Sequence, residues 1–155
     1  MIQKEAVESP NQEQNLTFKM GDEWFALPIT SIRDVMYTPT LTPVPLSSGE
    51  VAGLINLRGH IVTAIYTNLF LGIDSETPER TMCIVLQDHS TGEMYSFIVD
   101  KVFDIESFDL QHFEPTPSNL KNAFGSIVNG IFREEDRLVI SLDKNKIIEK
   151  ITSQN

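Results

Sequence analysis

Apolar and polar residues alternate from Leu16 onward: Leu16, Phe18 and Met20 are separated by Thr17 and Lys19. A period of two sends successive side chains to opposite faces of a strand. Gly21-Asp22-Glu23 interrupts the pattern and Trp24-Phe25-Ala26-Leu27 resumes it, which predicts a β-hairpin closed by a short turn. Pro28 ends the second strand. Beyond it two readings stand: Thr30 caps a short helical turn that runs through Asp34, or Ile29-Thr30-Ser31-Ile32 continues as irregular strand. Residues 38–50 read as a loop, because Pro39, Pro43 and Pro45 remove amide donors and Ser47, Ser48 and Gly49 favour turns. Val51 to Leu57 and His60 to Tyr66 are two β-rich runs around Arg58-Gly59, a second hairpin. The polar stretch at residues 74–79 closes a first subdomain.

The second half repeats the habit without repeating the sequence. Thr81 to Leu86 predicts a strand, His89 to Gly92 a turn, and Tyr95, Phe97 and Val99 alternate through the next strand. Val102, Phe103, Ile105 and Phe108 carry the apolar spacing through an acidic segment. A loop opens at Pro115 and Pro117 and runs to about Phe124. Two more strands, Ile127 to Phe132 and Arg137 to Leu142, flank Glu134-Glu135-Asp136, which reads as a solvated turn. Lys144 to Ile151 predicts a final helix with Ile147, Ile148 and Ile151 on one side and Asp143 as its cap. Roughly five strands thus precede residue 74 and five follow it, at the short intervals typical of sandwiches and barrels. Residues 1–14 are expected to form a flexible lead, residues 15–151 the folded part with an internal boundary near 74–80, and residues 152–155 a tail.

Composition narrows the partners. The 155 residues carry 12 Lys+Arg and 22 Asp+Glu, a net charge of −10. Phosphate backbones are bound by clustered cations, so this balance argues against nucleic acid and equally against an anionic membrane surface. An apolar fraction of 41% with 22% charged residues is that of a folded globular chain. A single cysteine makes no intrachain disulfide. The stretch from Val51 to Ile73 is broken by Asn56, Arg58, His60 and Asn68, whereas a membrane helix needs about 20 mainly apolar residues in a row. The expectation is a cytoplasmic protein with no direct membrane insertion.

Candidate chemistry is thin. His60, His89 and His112 are far apart and none has metal-ligand spacing with another His or Cys, so no metal and no cofactor is expected. Cys83 lies in the run Met82 to Leu86 and reads as a small core residue, since nothing beside it lowers a thiol pKa. No serine elbow and no phosphate-cradling glycine loop is present. No catalytic residue is assigned. Arg58 stands out as the only Asp, Glu, Lys or Arg between Val51 and Ile73. It sits either at the exposed tip of a hairpin, or with its guanidinium folded back on carbonyls or a carboxylate, pinning a joint between elements.

The run Gly53-Leu54-Ile55-Asn56-Leu57-Arg58-Gly59 resembles the Gly-x-x-Asn-Leu-Arg-Gly signature of CheW-like domains, the coupling proteins of bacterial chemotaxis. Further matches follow in order: the opening hairpin from Leu16 to Phe25, Ile32-Arg33-Asp34-Val35, Ile98-Val99-Asp100-Lys101-Val102, Pro115-Thr116-Pro117, and Asn129 to Asp143 as a closing hairpin. The resemblance spans about residues 15–151. It implies a mostly β fold of two intertwined SH3-like five-stranded barrels with a short C-terminal helix. It implies no enzyme activity. The implied role is an adaptor between a chemoreceptor cytoplasmic tip and the regulatory domain of the histidine kinase CheA, at receptor arrays on the inner side of the membrane. Carried over residue by residue, the implied receptor-binding groove is Ile32, Asp34, Val35, Gly53, Arg58 and Gly59, with Arg58 as its structural pin.

The chain departs from the family pattern at three places. Thr63 to Asn68 lacks the usual Pro-x-x-Asp-Leu-Arg, Ser96 stands where glycine is common, and Ser118-Asn119 follows the Pro-x-Pro in place of an apolar residue. Those departures keep open an adaptor serving another receptor–kinase system, such as pilus control. A barrel module binding an unrelated peptide, and a hydrolase built on Asp or Glu with His60 or His112, complete the readings.

Overall fold

Strand alternation translates directly into backbone in this computed structural model, which describes residues 11–75, 78–119 and 124–153. The first hairpin pairs β1 (Gln12–Met20) with β2 (Glu23–Pro28) in antiparallel register, Phe18 opposite Phe25. β1 begins at Gln12, inside the stretch expected to be a flexible lead. The reason is non-local: Gln12 to Gln14 pair with Ser107 to Asp109 on β8 (Lys101–Asp109). Residues 1–10, like 154 and 155 of the expected tail, lie outside the described residues.

After Pro28 a three-residue 3-10 turn, Ile29–Ser31, leads into β3 (Ile32–Tyr37). The turn carries no side-chain cap and does not reach Asp34, so the helical reading is corrected. The strand alternative holds only from Ile32 onward, where β3 pairs with β6 (Met82–Gln87) with a register irregularity between Ile32 and Asp34. β4 (Val51–Leu57) and β5 (His60–Tyr66) form the second hairpin, followed by the short helix α1 (Thr67–Leu71). β7 (Met94–Val99) pairs with β6. The two-residue β9 (Phe113–Glu114), β10 (Val128–Arg133) and β11 (Leu138–Leu142) complete the strands. Helix α2 (Lys144–Ser153) closes the described chain. Asp143 caps it as expected, its carboxylate accepting the Lys146 amide at 3.1 Å.

Two sheets result, in the orders β8-β1-β2-β11-β10-β9 and β3-β6-β7-β5-β4. The first hairpin therefore belongs to the sheet built by the end of the chain. Parallel pairing of β2 with β11 joins them, and a parallel β5–β7 pair serves the other sheet.

Both faces of the central strands are buried, and the alternation sorts their side chains into separate cores. On β6, Ile84 and Leu86 enter a large core shared between the sheets, while Cys83 and Val85 point into the five-stranded sheet's own interior with Ile55, Val62 and Ile98. On β2, Phe25 and Leu27 face the shared core, and Ala26 faces a third cluster with Phe108, Phe132 and Val139. This is why these strands read as continuous apolar runs rather than as half-polar ones. Each fully buried large apolar side chain contributes roughly 1.5–3 kcal/mol, so the shared core dominates the stability. Ile147, Ile148 and Ile151 of α2 seal it.

A half-buried ion cluster ties the six-stranded sheet together. Arg137 contacts Glu106 on β8 and Glu134 at 2.6 Å, while its guanidinium lies 4.5 Å over the Trp24 ring. Glu106 also accepts the Thr17 hydroxyl of β1 at 2.8 Å. Burial lowers the Arg137 pKa, but its hydrogen bonds to the two carboxylates outweigh that and hold it above the ordinary value. Glu134 is thus an ion-pair partner rather than a solvated turn residue.

The loop from β3 to β4 is fixed by a bridge between Thr42 and Leu54, with N–H to O distances of 2.9 and 2.8 Å. Gly53, beside that bridge, has φ +149°, and a Cβ there would stand 2.6 Å from the Thr42 carbonyl oxygen. Gly53→Ala is expected to lower stability by about 1–3 kcal/mol. Gly49→Ala, with open space around it, serves as the control and should change little. Urea unfolding of both variants reads the difference, and equal midpoints would contradict the close approach.

Candidate functional site

The β4–β5 hairpin turns on two residues, Arg58 and Gly59, at φ +52° and +87°. Two positive φ values are the mirror-type turn that matches strand twist, and the position favours Asn or Gly over Arg. Asn56 steadies it by accepting the Gly59 amide through Oδ1 at 2.9 Å. From this tip Arg58 Nη2 comes within 3.2 Å of Asp34 Oδ2 on β3. Since β3 and β4 are the opposite edges of the five-stranded sheet, the contact joins its two margins where the sheet curls into a barrel.

Both readings of Arg58 thus meet in one geometry. It is an exposed hairpin tip, and its guanidinium also faces a carboxylate. The side chain of Arg58 is 79% exposed and that of Asp34 24%. Asp34 Oδ1 accepts the Val35 amide at 2.9 Å. With its guanidinium so open to water the pair is worth little, so Arg58→Ala is expected to cost about 1 kcal/mol or less in chemical denaturation. A loss above about 3 kcal/mol would mean that Asp34 is left as a desolvated charge.

The other proposed groove residues are distributed around this pair. Val35 is half-buried and packs against the shared core from β3. Ile32 is 6% exposed and belongs to that core, so it lies beneath the surface rather than on it. Gly53 lies five residues before Arg58, on β4, against the loop at Thr42. Hence Asp34 and Arg58 meet, Gly59 and Val35 are their chain neighbours, Ile32 lies in the core beneath, and Gly53 lies to the side.

A cavity of about 380 Å³ opens at the pair, lined by Arg33, Asp34, Leu57, Arg58, His60 and Met94. Met94 also lines a neighbouring cavity of about 270 Å³ with Glu50, Ile61, Phe70, Glu93 and Tyr95 among its walls. The sequence placed Tyr95 in a strand but marked none of Glu93, Met94 and Tyr95 as a site residue. They lie some 35 residues from Arg58 and reach it only through the parallel β5–β7 pairing.

The chemistry around the cavities favours binding over bond-making. His60 shares the first cavity with Asp34, but that carboxylate is committed to Arg58 and to the Val35 amide. Burial pushes the Cys83 thiol up, which keeps it protonated and supports its reading as a core residue. Among the described residues no group of three or more His, Cys, Asp or Glu is arranged to hold a metal. No helix among them is long and apolar enough to cross a membrane.

Tyr95 donates its hydroxyl to Glu93 Oε2 at 2.7 Å. Burial, then the Glu93 hydrogen bond and charge, push its pKa up to about 12 from 10.0. The folded state thus favours the neutral phenol. Its contribution is intact below pH 10.0 and is lost as pH rises toward about 12. Melting temperatures of wild type and Tyr95→Phe should diverge below pH 10 and converge above it. Parallel curves throughout would contradict the shift.

Two intertwined barrels of this topology, with an open groove and an Arg-Gly hairpin tip at its margin, define a binding scaffold. Comparison with known proteins gives the family. The CheW-like domain model matches residues 14–152. Chemotaxis protein CheW of Thermotoga maritima is 31% identical over 137 residues, covering 88% of each chain. Chemotaxis protein CheW of Helicobacter pylori is 28% identical, covering 96% of this chain and 92% of its own. Protein PilI of Pseudomonas aeruginosa is also 28% identical, over 90% of this chain and 76% of its own. A crystal structure of the scaffolding protein TtCheW from Thermoanaerobacter tengcongensis superposes with a TM-score of 0.77, at 24% identity over 84% of this chain and 88% of that one. The chain belongs to the CheW-like domain family.

Proposed function

We propose that this protein is a non-enzymatic signalling adaptor that couples chemoreceptor tips to the regulatory domain of a CheA-type histidine kinase. The observation that carries the reading is the extent of the family match. It covers residues 14–152, so nearly the whole chain is one coupling-type domain. The Arg58–Asp34 contact supports a groove at the barrel margin, open to solvent and walled by Leu57 and Met94, suited to the side of a helical hairpin. In this reading Asp34, Val35, Arg58 and Gly59 line the groove, Ile32 supports its floor, and Gly53 fixes its loop-side edge. Coupling then means that the chain binds one kinase conformation better than another and so shifts their populations.

A second reading rests on the PilI likeness, similar in degree to the Helicobacter match. Here the same adaptor mechanics serves a receptor–kinase pair outside chemotaxis, such as one for pilus control.

Binding of the purified chain to two baits from its own organism tests the proposal: a CheA regulatory domain and a receptor signalling tip. The expected result is binding to both, with Arg58→Ala weakening the receptor tip about tenfold and leaving the kinase domain unaffected. Binding only to the baits of a second receptor–kinase system would select the second reading. Binding to no such bait would overturn both.

A further inference from the structure

The two sheets repeat one pattern of pairing. In the orders β8-β1-β2-β11-β10 and β3-β6-β7-β5-β4, two antiparallel pairs are followed by a parallel pair and a further antiparallel one. The irregularities recur as well. Ile32 to Val35 on β3 runs opposite Leu86 to Ile84 on β6, and Val102 to Ile105 on β8 runs opposite Phe18 to Leu16 on β1, with one extra residue each time. In both bulges an aspartate accepts the amide of its successor: Asp34 that of Val35 at 2.9 Å, Asp104 that of Ile105 at 2.8 Å. Gly53 and Gly130 correspond too. A Cβ on either would stand 2.6 Å from a carbonyl oxygen, of Thr42 in one case and Glu114 in the other.

The registers carry this correspondence to the cavity at the Asp34–Arg58 pair. Met94 pairs with Gln87 as Trp24 pairs with Lys19, so Met94 stands in the place of Trp24. By the same registers Arg33 stands in the place of Phe103 and His60 in that of Arg137. Around Met94 the position is open, a cavity of about 380 Å³ walled by Arg33, Arg58 and His60 among others. In the six-stranded sheet the indole of Trp24 fills it. Its ring lies 4.4 Å from that of Phe103, and the Arg137 guanidinium lies 4.5 Å over it. One barrel thus holds an aromatic ring of its own, flanked by a cation, where the other presents cations and no ring.

We propose that the cavity at Asp34 and Arg58 receives one aromatic side chain of the receptor tip, seated over Met94 where Trp24 sits in the other barrel. This inference rests on the adaptor reading and names the side chain its receptor must present. Charge favours the occupant. Arg33 and Arg58 bring two guanidinium groups to the cavity against one carboxylate, and Asp34 is already engaged by Arg58 and by the Val35 amide. The electron-rich face of a ring is attracted to such cations, and the Met94 thioether adds a favourable sulfur–aromatic contact. Arg33 is set in advance. Its Nη1 donates to Gln87 Oε1 at 3.0 Å, and Gln87 Nε2 donates in turn to the Gly92 carbonyl at 3.2 Å. A ring docked there is an anchor of the kind that dominates protein interfaces.

Calorimetric titration with a receptor tip from the same organism tests it. The Phe, Tyr and Trp residues of the tip are replaced by Leu one at a time, and one replacement should weaken binding to the wild-type chain by about tenfold or more. Met94→Trp fills the cavity from within, as Trp24 does in the other barrel, and should weaken the unaltered tip by a similar factor. The critical Leu replacement should then cost nothing more, because the two changes remove the same contact. A melting temperature of Met94→Trp at or above that of wild type, with binding to the CheA regulatory domain retained, shows that the fold persists. Wild-type affinity in every aromatic-to-Leu tip would overturn the proposal, whether or not Met94→Trp folds. An Asp or Glu of the tip whose replacement by Asn or Gln loses its effect in Met94→Trp, with no aromatic doing so, would overturn it in favour of a carboxylate. Wild-type affinity of a folded Met94→Trp for the tip would overturn this inference alone and leave the adaptor reading standing. If the wild-type chain binds the kinase domain but not the tip, the inference falls with the receptor half of that reading.

Discussion

The shared apolar layer between the two sheets is the constraint on which the rest depends. Phe18 and Phe25 from the first hairpin, Ile84 and Phe97 from the middle of the chain, and Ile140 with Ile147 from its end all meet there. A core assembled from such distant segments forces the chain to interleave. β1 and β2 must leave their neighbours in sequence and join β8 to β11, and the parallel β2–β11 pair is the seam. The outward faces of the same strands then have to curl around the smaller cores to be covered at all. Two barrels sharing one wall are the geometric answer to strands that are apolar on both faces.

The groove follows from that curling. The five-stranded sheet brings its opposite margins, β3 and the β4–β5 tip, close enough for Arg58 to meet Asp34. The contact is weak because its guanidinium is solvated, although Asp34 Oδ2 itself is buried. An exposed arginine held in a disfavoured backbone conformation contributes little to folding. Leu46 on the neighbouring loop is likewise exposed and at positive φ.

Much of this was legible from the sequence, and the reason is local. The hairpins at Leu16 to Leu27 and Val51 to Tyr66, the capped C-terminal helix, and the core placement of Cys83 all follow from alternation, turn residues and capping within about ten residues. The β-rich runs on either side of Arg58-Gly59 also offered a hairpin tip as one of two readings of Arg58. What could not be read was set by pairing across the chain. β1 reaches back to Gln12 because β8 is there to pair with it, β3 is a strand because β6 lies alongside, and Glu134 has a partner because Arg137 folds over Trp24. The groove shows the same division. Asp34 and Arg58 were named from motif residues and meet at 3.2 Å, whereas Met94, Glu93 and Tyr95 enter only through the β5–β7 pairing, which no local pattern announces.

An adaptor is defined by holding two partners at once, not by affinity for either. Sedimentation of the full chain mixed with a receptor tip and a CheA regulatory domain from its own organism measures this directly. The account predicts one species containing all three, with each partner enhancing or leaving intact the binding of the other. Mutual displacement of the two partners, with only binary complexes observed, would contradict it.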